Sequence, residues 1–172
     1  KKLQLKYPNL IVFIPSCRDE FDEKFKKSLK KFKLDGRIIS SKEIEKNKTY
    51  IYSLSILALC KSGTVNMELA LYGIPQLVGY KVSRVTAFIA KRLLNFKVRY
   101  ISPVNLLLKR KVIPEFVQKD FKTEKMFDKS CKLIESIYQR KKIKKGYQLL
   151  KKELGEVGVL NRAASEILNS II

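Results

Sequence analysis

The chain has 172 residues, 45% of them hydrophobic, which is enough for one domain with a real core and too apolar for a disordered tail. Lys and Arg number 37 against 16 Asp and Glu, a net charge of +21 that favours nucleic acid, anionic lipid headgroups or a phosphorylated ligand, although Lys, Ile and Asn enrichment is equally what an AT-rich coding sequence produces. There is no histidine, and the three cysteines (Cys17, Cys60, Cys131) lie far apart with no CxxC, which argues against a zinc site, a His-assisted nucleophile and a disulfide framework.

Taken in chain order, Leu10 to Ile14 reads as a strand ended by Pro15, and Phe21, Phe25, Leu29 and Phe32 fall on one face of a helix. Asp35-Gly36 reads as a turn before a short strand, Arg37 to Ser40; Lys42 to Ser53 is ambiguous, with a short helix near Tyr50 to Tyr52. Ile56 to Cys60 is the next strand, Ser62-Gly63-Thr64 a turn, and Val65 to Tyr72 a helix stopped by Gly73 and Pro75. A strand is expected at Gln76 to Tyr80, a helix carrying Val85, Phe88, Ile89 and Leu93, and a strand at Val98 to Ser102 followed by a loop around Pro103. Ile113 to Gln118 reads as a short helix with Pro114 in its first turn. Phe127, Cys131, Ile134 and Tyr138 mark a longer helix, and Leu160, Ala164, Ile167 and Ile171 a last one. Strands alternating with helices imply a parallel sheet: one Rossmann-like α/β domain over 1–172 with a helical tail from about 121.

No stretch is long enough to span a membrane, and Lys1-Lys2 is followed by alternating residues, which does not read as a signal peptide. The basic run Arg140 to Lys145 suits a solvated helix end or a membrane-surface patch.

Ligands of such sheets bind outside the carboxyl ends of the strands. Cys60 to Glu68 lies at such an end. Gly63 permits a sharp turn and close approach of a ligand, the following helix start favours phosphate, and Ser62 and Thr64 add hydroxyl donors. Glu68, one helical turn after Thr64, cannot help a phosphate but can accept both hydrogens of a ribose diol. Diphosphate at the turn and ribose one turn along is the layout of a bound nucleoside diphosphate. Spacing alone is met as readily by an ordinary turn and helix cap.

The run Ser62-Gly63-Thr64-x-x-x-Glu68, then Gly73-Ile74-Pro75 and Val78-Gly79-Tyr80-Lys81, resembles the donor site of lipid-A-disaccharide synthases. The resemblance continues through Ala90 to Leu93, Ser102 to Leu107 and Val112 to Gln118, and at the front through Tyr7-Pro8-Asn9-Leu10 with Pro15. It implies the C-terminal, donor-binding half of a GT-B glycosyltransferase, a fold of two Rossmann-like domains, with the N-terminal acceptor domain absent. The implied reaction transfers a 2,3-diacylglucosamine unit from its UDP derivative to a lipid-linked sugar phosphate. No cofactor or metal is implied, and the implied location is cytoplasmic, peripheral to the inner membrane, on an anionic membrane surface. By the resemblance Ser62, Gly63 and Thr64 hold the diphosphate and Glu68 the ribose, while Asn105, Glu115 and Gln118 fall on motifs near the donor. Glu115 also reads as a first-turn residue complementing a helix dipole, and Asn105 as a turn residue.

The chain departs from the pattern in places. The Pro-Gly-Ser-Arg loop that opens the family's C-terminal domain is missing; Ile14 to Arg18 resembles it only superficially, and under that alignment Arg18 becomes a phosphate ligand. The Asp that usually precedes the Ser-Gly-Thr strand has no counterpart near Leu54-Ser55, and Pro103-Val104 transposes the family order. No residue stands out as a catalytic base. Another GT-B glycolipid or peptidoglycan-precursor transferase, or a non-catalytic basic module binding RNA or membranes, are the competing readings; Tyr and Phe at helical core spacing count against specific nucleic-acid binding.

Overall fold

The computed structural model describes residues 1–16, 18–83, 99–156 and 158–170. Helix α1 (Lys2–Lys6) leads into strand β1 (Val12–Pro15), helix α2 (Asp22–Lys31) and strand β2 (Gly36–Ile39). Helix α3 (Ser41–Ser53) follows, capped by Ser40 and kinked at Asn47, where φ is −122°. Strand β3 (Ala58–Cys60), helix α4 (Val65–Leu71) and strand β4 (Gln76–Tyr80) form the next unit. Then come helix α5 (Pro103–Leu107), strand β5 (Glu115–Val117) and helices α6 (Thr123–Glu135), α7 (Ile137–Leu154) and α8 (Val159–Asn169). The chain is thus α/β, with parallel strands flanked by helices.

The strands pair as two parallel sheets, β1–β2 and β3–β4–β5. In the first, Val12 is opposite Gly36 and Pro15 opposite Ile39. In the second, Ala58 is opposite Gln76 and Val78 opposite Glu115. Central β4 is buried along almost its whole length, as a strand covered on both faces must be. The core gathers around it: Ala70 from α4, Leu77 and Val78, Val104 from α5, Ile113 before β5, Leu133 from α6, and Ile143, Tyr147 and Leu150 from α7.

Two glycines are demanded by this packing. At Gly73 φ is +75°, and its N–H donates to Ala70 O while the Ile74 N–H donates to Leu69 O. This pair of bonds is the Schellman closure of a helix, which favours glycine at the left-handed position. Pro75 then prevents continuation and starts the chain toward β4. On α7, a Cβ at Gly146 would run into the Val112 side chain, so glycine lets the helix seat directly on the segment leading into β5.

Several sequence expectations are corrected. Residues 99–102 form no strand; instead Ser102 caps α5, its hydroxyl accepting from the Asn105 N–H at 3.3 Å, with Pro103 in the first turn, so the expected loop around Pro103 is a short helix. Ile113 to Gln118 is not a helix: Glu115 to Val117 become β5, because the open edge of β4 needs a partner and Val78 N donates to Pro114 O at 2.9 Å. Pro114, just ahead of the strand, sits where no ladder donor is lost. The helix expected through Phe127 to Tyr138 breaks at Ser136, whose hydroxyl caps α7 by accepting from Gln139 N. The expected helix over Val85 to Leu93 and the family-like segment Ala90 to Leu93 lie outside the described residues. The ambiguous segment 42–53 is helical.

Candidate functional site

The loop after β3 and the residue after β5 both lie past the carboxyl edge of the second sheet, where an α/β sheet presents its ligand. Ser62, Gly63 and Thr64 follow the end of β3. Ser62 spends its hydroxyl within the chain, donating to Ile101 O and tying the two loops together. The Gly63 N–H donates to Asn66 Oδ1 at 2.9 Å. Gly63 has an ordinary negative-φ backbone, and nothing lies within 4 Å of where its Cβ would stand, so open space rather than backbone strain is what glycine provides here. Thr64 is exposed, and its hydroxyl makes no capping bond to α4.

The loop is fixed from beneath by buried amides. Asn66, fully buried, donates to Lys61 O at 3.3 Å, to Gln76 Oε1 at 3.0 Å and to Cys60 Sγ at 3.1 Å. Gln76 returns a bond to Asn66 O at 2.9 Å and donates to the Tyr147 hydroxyl at 3.2 Å, which itself donates to Ile74 O at 2.9 Å. Buried polar groups this completely paired specify one arrangement. Burial pushes the Cys60 thiol up to about 11, so this cysteine stays protonated and is packing rather than a nucleophile.

Glu68 lies one turn into α4, half-buried, and faces α3. Lys48 Nζ is 2.5 Å from Glu68 Oε1, and the Tyr52 hydroxyl donates to Oε2 at 3.3 Å. The carboxylate raises the Lys48 pKa, chiefly through that hydrogen bond and then through charge attraction. Tyr52 packs edge-on against Tyr72, with ring centroids 4.9 Å apart.

Asn105 and Glu115 act on each other. Asn105 is fully buried; its Oδ1 accepts from Val112 N at 2.7 Å and Ile113 N at 3.0 Å, and its Nδ2 donates to Ile113 O at 2.9 Å and Glu115 Oε1 at 2.8 Å. Glu115 accepts further from Ile101 N at 3.1 Å, Ser102 N at 2.9 Å and Ser102 Oγ at 2.6 Å. Every polar atom of Asn105 is thereby used, and the pair pins the start of α5 to β5. Through Ile101, which Ser62 also grips, they hold the loop after β3 in place. Gln118, with φ at +48°, accepts from Val82 N at 3.3 Å and so joins the ends of β4 and β5. The seven chemical positions therefore divide: Ser62, Gly63, Thr64 and Gln118 line one edge, Glu68 stands behind them on α4, and the Asn105–Glu115 pair is the brace beneath.

The model of the lipid-A-disaccharide synthetase family matches residues 1–169. A lipid-A-disaccharide synthase from Prochlorococcus marinus (strain MIT 9313) is 43% identical over 167 residues, 97% of this chain and 43% of that protein. Synthases from Gloeothece citriformis (strain PCC 7424) and Synechocystis sp. (strain ATCC 27184 / PCC 6803 / Kazusa) are 35% and 34% identical over 99% and 98% of the chain, and 43% and 42% of their own lengths. The chain belongs to the lipid-A-disaccharide synthase family. It spans less than half the length of these relatives.

Within this chain the sequence pattern missed the residues that surround the candidate site without belonging to a motif. Lys48 and Tyr52 sit in the segment whose periodicity was ambiguous, although their i, i+4 spacing marks one helix face. Lys61, immediately before Ser62, places its ammonium 5.5 Å from the Tyr80 ring centroid, a cation at the same sheet edge. Asn66 is hidden inside the x-x-x of the Ser-Gly-Thr-x-x-x-Glu pattern. Arg18, the phosphate ligand of the alternative alignment, is exposed and pairs with Glu20 at 3.3 Å in the first sheet's loop. Among the described residues no three His, Cys, Asp or Glu side chains gather as a metal site. No helix among them is long and apolar enough to cross a membrane.

Proposed function

We propose that this chain is the donor-binding part of a lipid-A-disaccharide synthase, the glycosyltransferase of lipid A biosynthesis that moves a 2,3-diacylglucosamine unit from UDP to a lipid-linked sugar phosphate. The observation that carries the reading is a family match over residues 1–169 in which the Ser62-Gly63-Thr64 loop and Gln118 fall at the carboxyl edge of one parallel sheet.

In this reading the open side of Gly63 admits the diphosphate, the Thr64 hydroxyl donates to it, and Lys61 contributes charge. Glu68 accepts the ribose hydroxyls, which requires Lys48 and Tyr52 to share or yield the carboxylate. Ser62, Asn66, Asn105 and Glu115 position the loop rather than touch the ligand. Stabilising the leaving diphosphate is half of glycosyl transfer; the other half is a base for the acceptor hydroxyl. In this reading the chain supplies the first, and the second comes from outside it. The chain alone therefore binds donor without turnover. The net charge of +21 supports attachment to the anionic cytoplasmic face of the inner membrane, where both lipid substrates reside.

Calorimetry with UDP tests the site. Saturable binding by the wild type that weakens in Glu68→Ala is expected; no binding, or equal binding by the variant, overturns the assignment. Transfer activity from the isolated chain would refute the half-reaction claim.

A further inference from the structure

A second feature of the second sheet stands apart from the carboxyl-edge site. An open cleft of about 480 Å³ lies against the start of β5, between the segment leading into that strand and helices α6 and α7. Its volume is within the range of small-molecule sites. Five lysines line it: Lys111 before β5, Lys125, Lys129 and Lys132 from α6, and Lys142 from α7. The three on α6 recur at i, i+4 and i+7, so one helix face delivers them together. None of Ser62, Gly63, Thr64, Glu68, Asn105 or Gln118 lines it.

The acidic side chains are too few to explain the convergence. Glu115 borders the cleft, but its carboxylate is already taken by loop 101–105. Asp128 is the other carboxylate in the lining, and no ion pair joins it to any of the five lysines. Lys125 is paired outside the lining, with Asp120 at 2.5 Å. Among the described residues Lys111, Lys129, Lys132 and Lys142 form no ion pair. Lys129 is half-buried and donates to Gln139 Oε1 at 3.4 Å. Its pKa is lowered, first by burial and then by the charges of Lys132, Lys111 and Lys142, so these three lie close enough to act on the Lys129 ammonium. A solvated lysine face would spread these charges apart; here two helices and a loop bring them to one concavity.

We propose that this cleft is an anion site for a phosphate-bearing ligand, held by the ammoniums of Lys111, Lys129, Lys132 and Lys142 and separate from the donor site. A phosphate offers several oxygens to several point charges at once, which is the geometry that ammonium groups recognise best. The ligand chemistry is the phosphate group, carried by a soluble phosphate compound or by a lipid headgroup.

The test uses the 172-residue chain and three sets of variants at low ionic strength. The cleft triple is Lys129→Gln, Lys132→Gln and Lys142→Gln; the charge-matched control is Lys141→Gln, Lys144→Gln and Lys145→Gln on the remainder of α7. Pyrophosphate is titrated by calorimetry, and vesicles of phosphatidylglycerol in phosphatidylcholine are sedimented with the protein, beside vesicles of phosphatidylcholine alone. An affinity loss of at least about tenfold in the cleft triple, with the control unchanged, is expected for one probe. Loss with pyrophosphate identifies a soluble ligand, and loss with the anionic vesicles alone a headgroup. Because the donor loop is itself proposed to take a diphosphate, the comparison is repeated in the Ser62→Ala/Thr64→Ala background: the loss caused by the cleft triple is expected to persist there, and its disappearance would assign the anion to the donor loop and overturn the proposal. Equal loss in both triples would reduce the effect to net charge, and no loss in the cleft triple would likewise overturn it. If the triple fails to fold, Lys132→Gln/Lys142→Gln, two exposed positions, carries the same comparison with the same outcomes.

Discussion

Lys48 of α3 and Glu68 of α4 form an ion pair at 2.5 Å, at the carboxylate that the donor ribose would use. Both side chains keep about a third of their surface in solvent, so the pair is screened and replaceable. Lys48→Gln is expected to change UDP affinity by less than about fivefold, whereas Glu68→Ala weakens it by at least about tenfold through lost charged acceptors. Calorimetry on the two variants separates these outcomes. The pH dependence has a definite sign. The folded-state pKa of Lys48 is raised above its ordinary 10.5, so the stability from the pair is present below 10.5 and is lost as pH rises through the folded value. The difference in Tm between wild type and Lys48→Gln is expected to hold constant from neutral pH upward and to shrink only above that point.

Asn105→Ala tests the brace. It leaves the Val112 and Ile113 N–H groups and part of Glu115 without their buried partner. Unsatisfied buried groups of this kind cost about 2–3 kcal/mol in total, a fall in Tm of roughly 5–10 °C for a chain of this size. Thermal unfolding checks the stability loss. If Asn105 positions rather than contacts the donor, UDP binding below the unfolding transition weakens less than in Glu68→Ala.

How far these features were legible from sequence depended on whether a local signal competed with a long-range one. Gln76 to Tyr80 is read correctly because an apolar run between Pro75 and polar residues has no other use than a central strand. Glu115 to Val117 is misread because three residues carry no periodicity, and Pro114 is as acceptable before a strand as in a helix's first turn. Only the open edge of β4, a tertiary fact, decides it. Phe21 and Phe32 fall on a helical stripe that predicts burial, yet they are 39% and 53% exposed, since spacing sets a shared face but not what covers it. At the site, Ser62 to Glu68 is visible as a motif. The division of labour within it is not, because the partners that consume Ser62, Asn105 and Glu115 come from segments far along the chain.

Gly73→Ala probes the helix stop that orients β4. No atom lies within 4 Å of the added Cβ, so the cost is conformational alone, about 1–2 kcal/mol for a left-handed alanine. A Tm lowered by roughly 2–8 °C, with the circular-dichroism spectrum unchanged, is the expected result.

Cys60 gives a prediction at high pH. The thiol sits in the amide network under the loop, and burial moves its pKa from 9.0 to about 11, opposed by the Asn66 bond. The folded chain therefore holds a proton that the unfolded chain releases above pH 9.0. Stability linked to this group is complete below 9.0 and is lost as pH rises toward about 11. Cys60→Ala removes the linkage, so its Tm is expected to fall less between pH 8 and 10.5 than that of the wild type. Alkylation followed by mass spectrometry provides the second check. Because the thiolate is the reactive form, Cys60 in the folded chain is expected to react more slowly at pH 8 than it does after unfolding in denaturant. Fast modification of folded Cys60 at pH 8 would mean that the network of Asn66, Gln76 and Tyr147 opens readily, and the loop it supports would then lack the rigidity that a diphosphate grip requires.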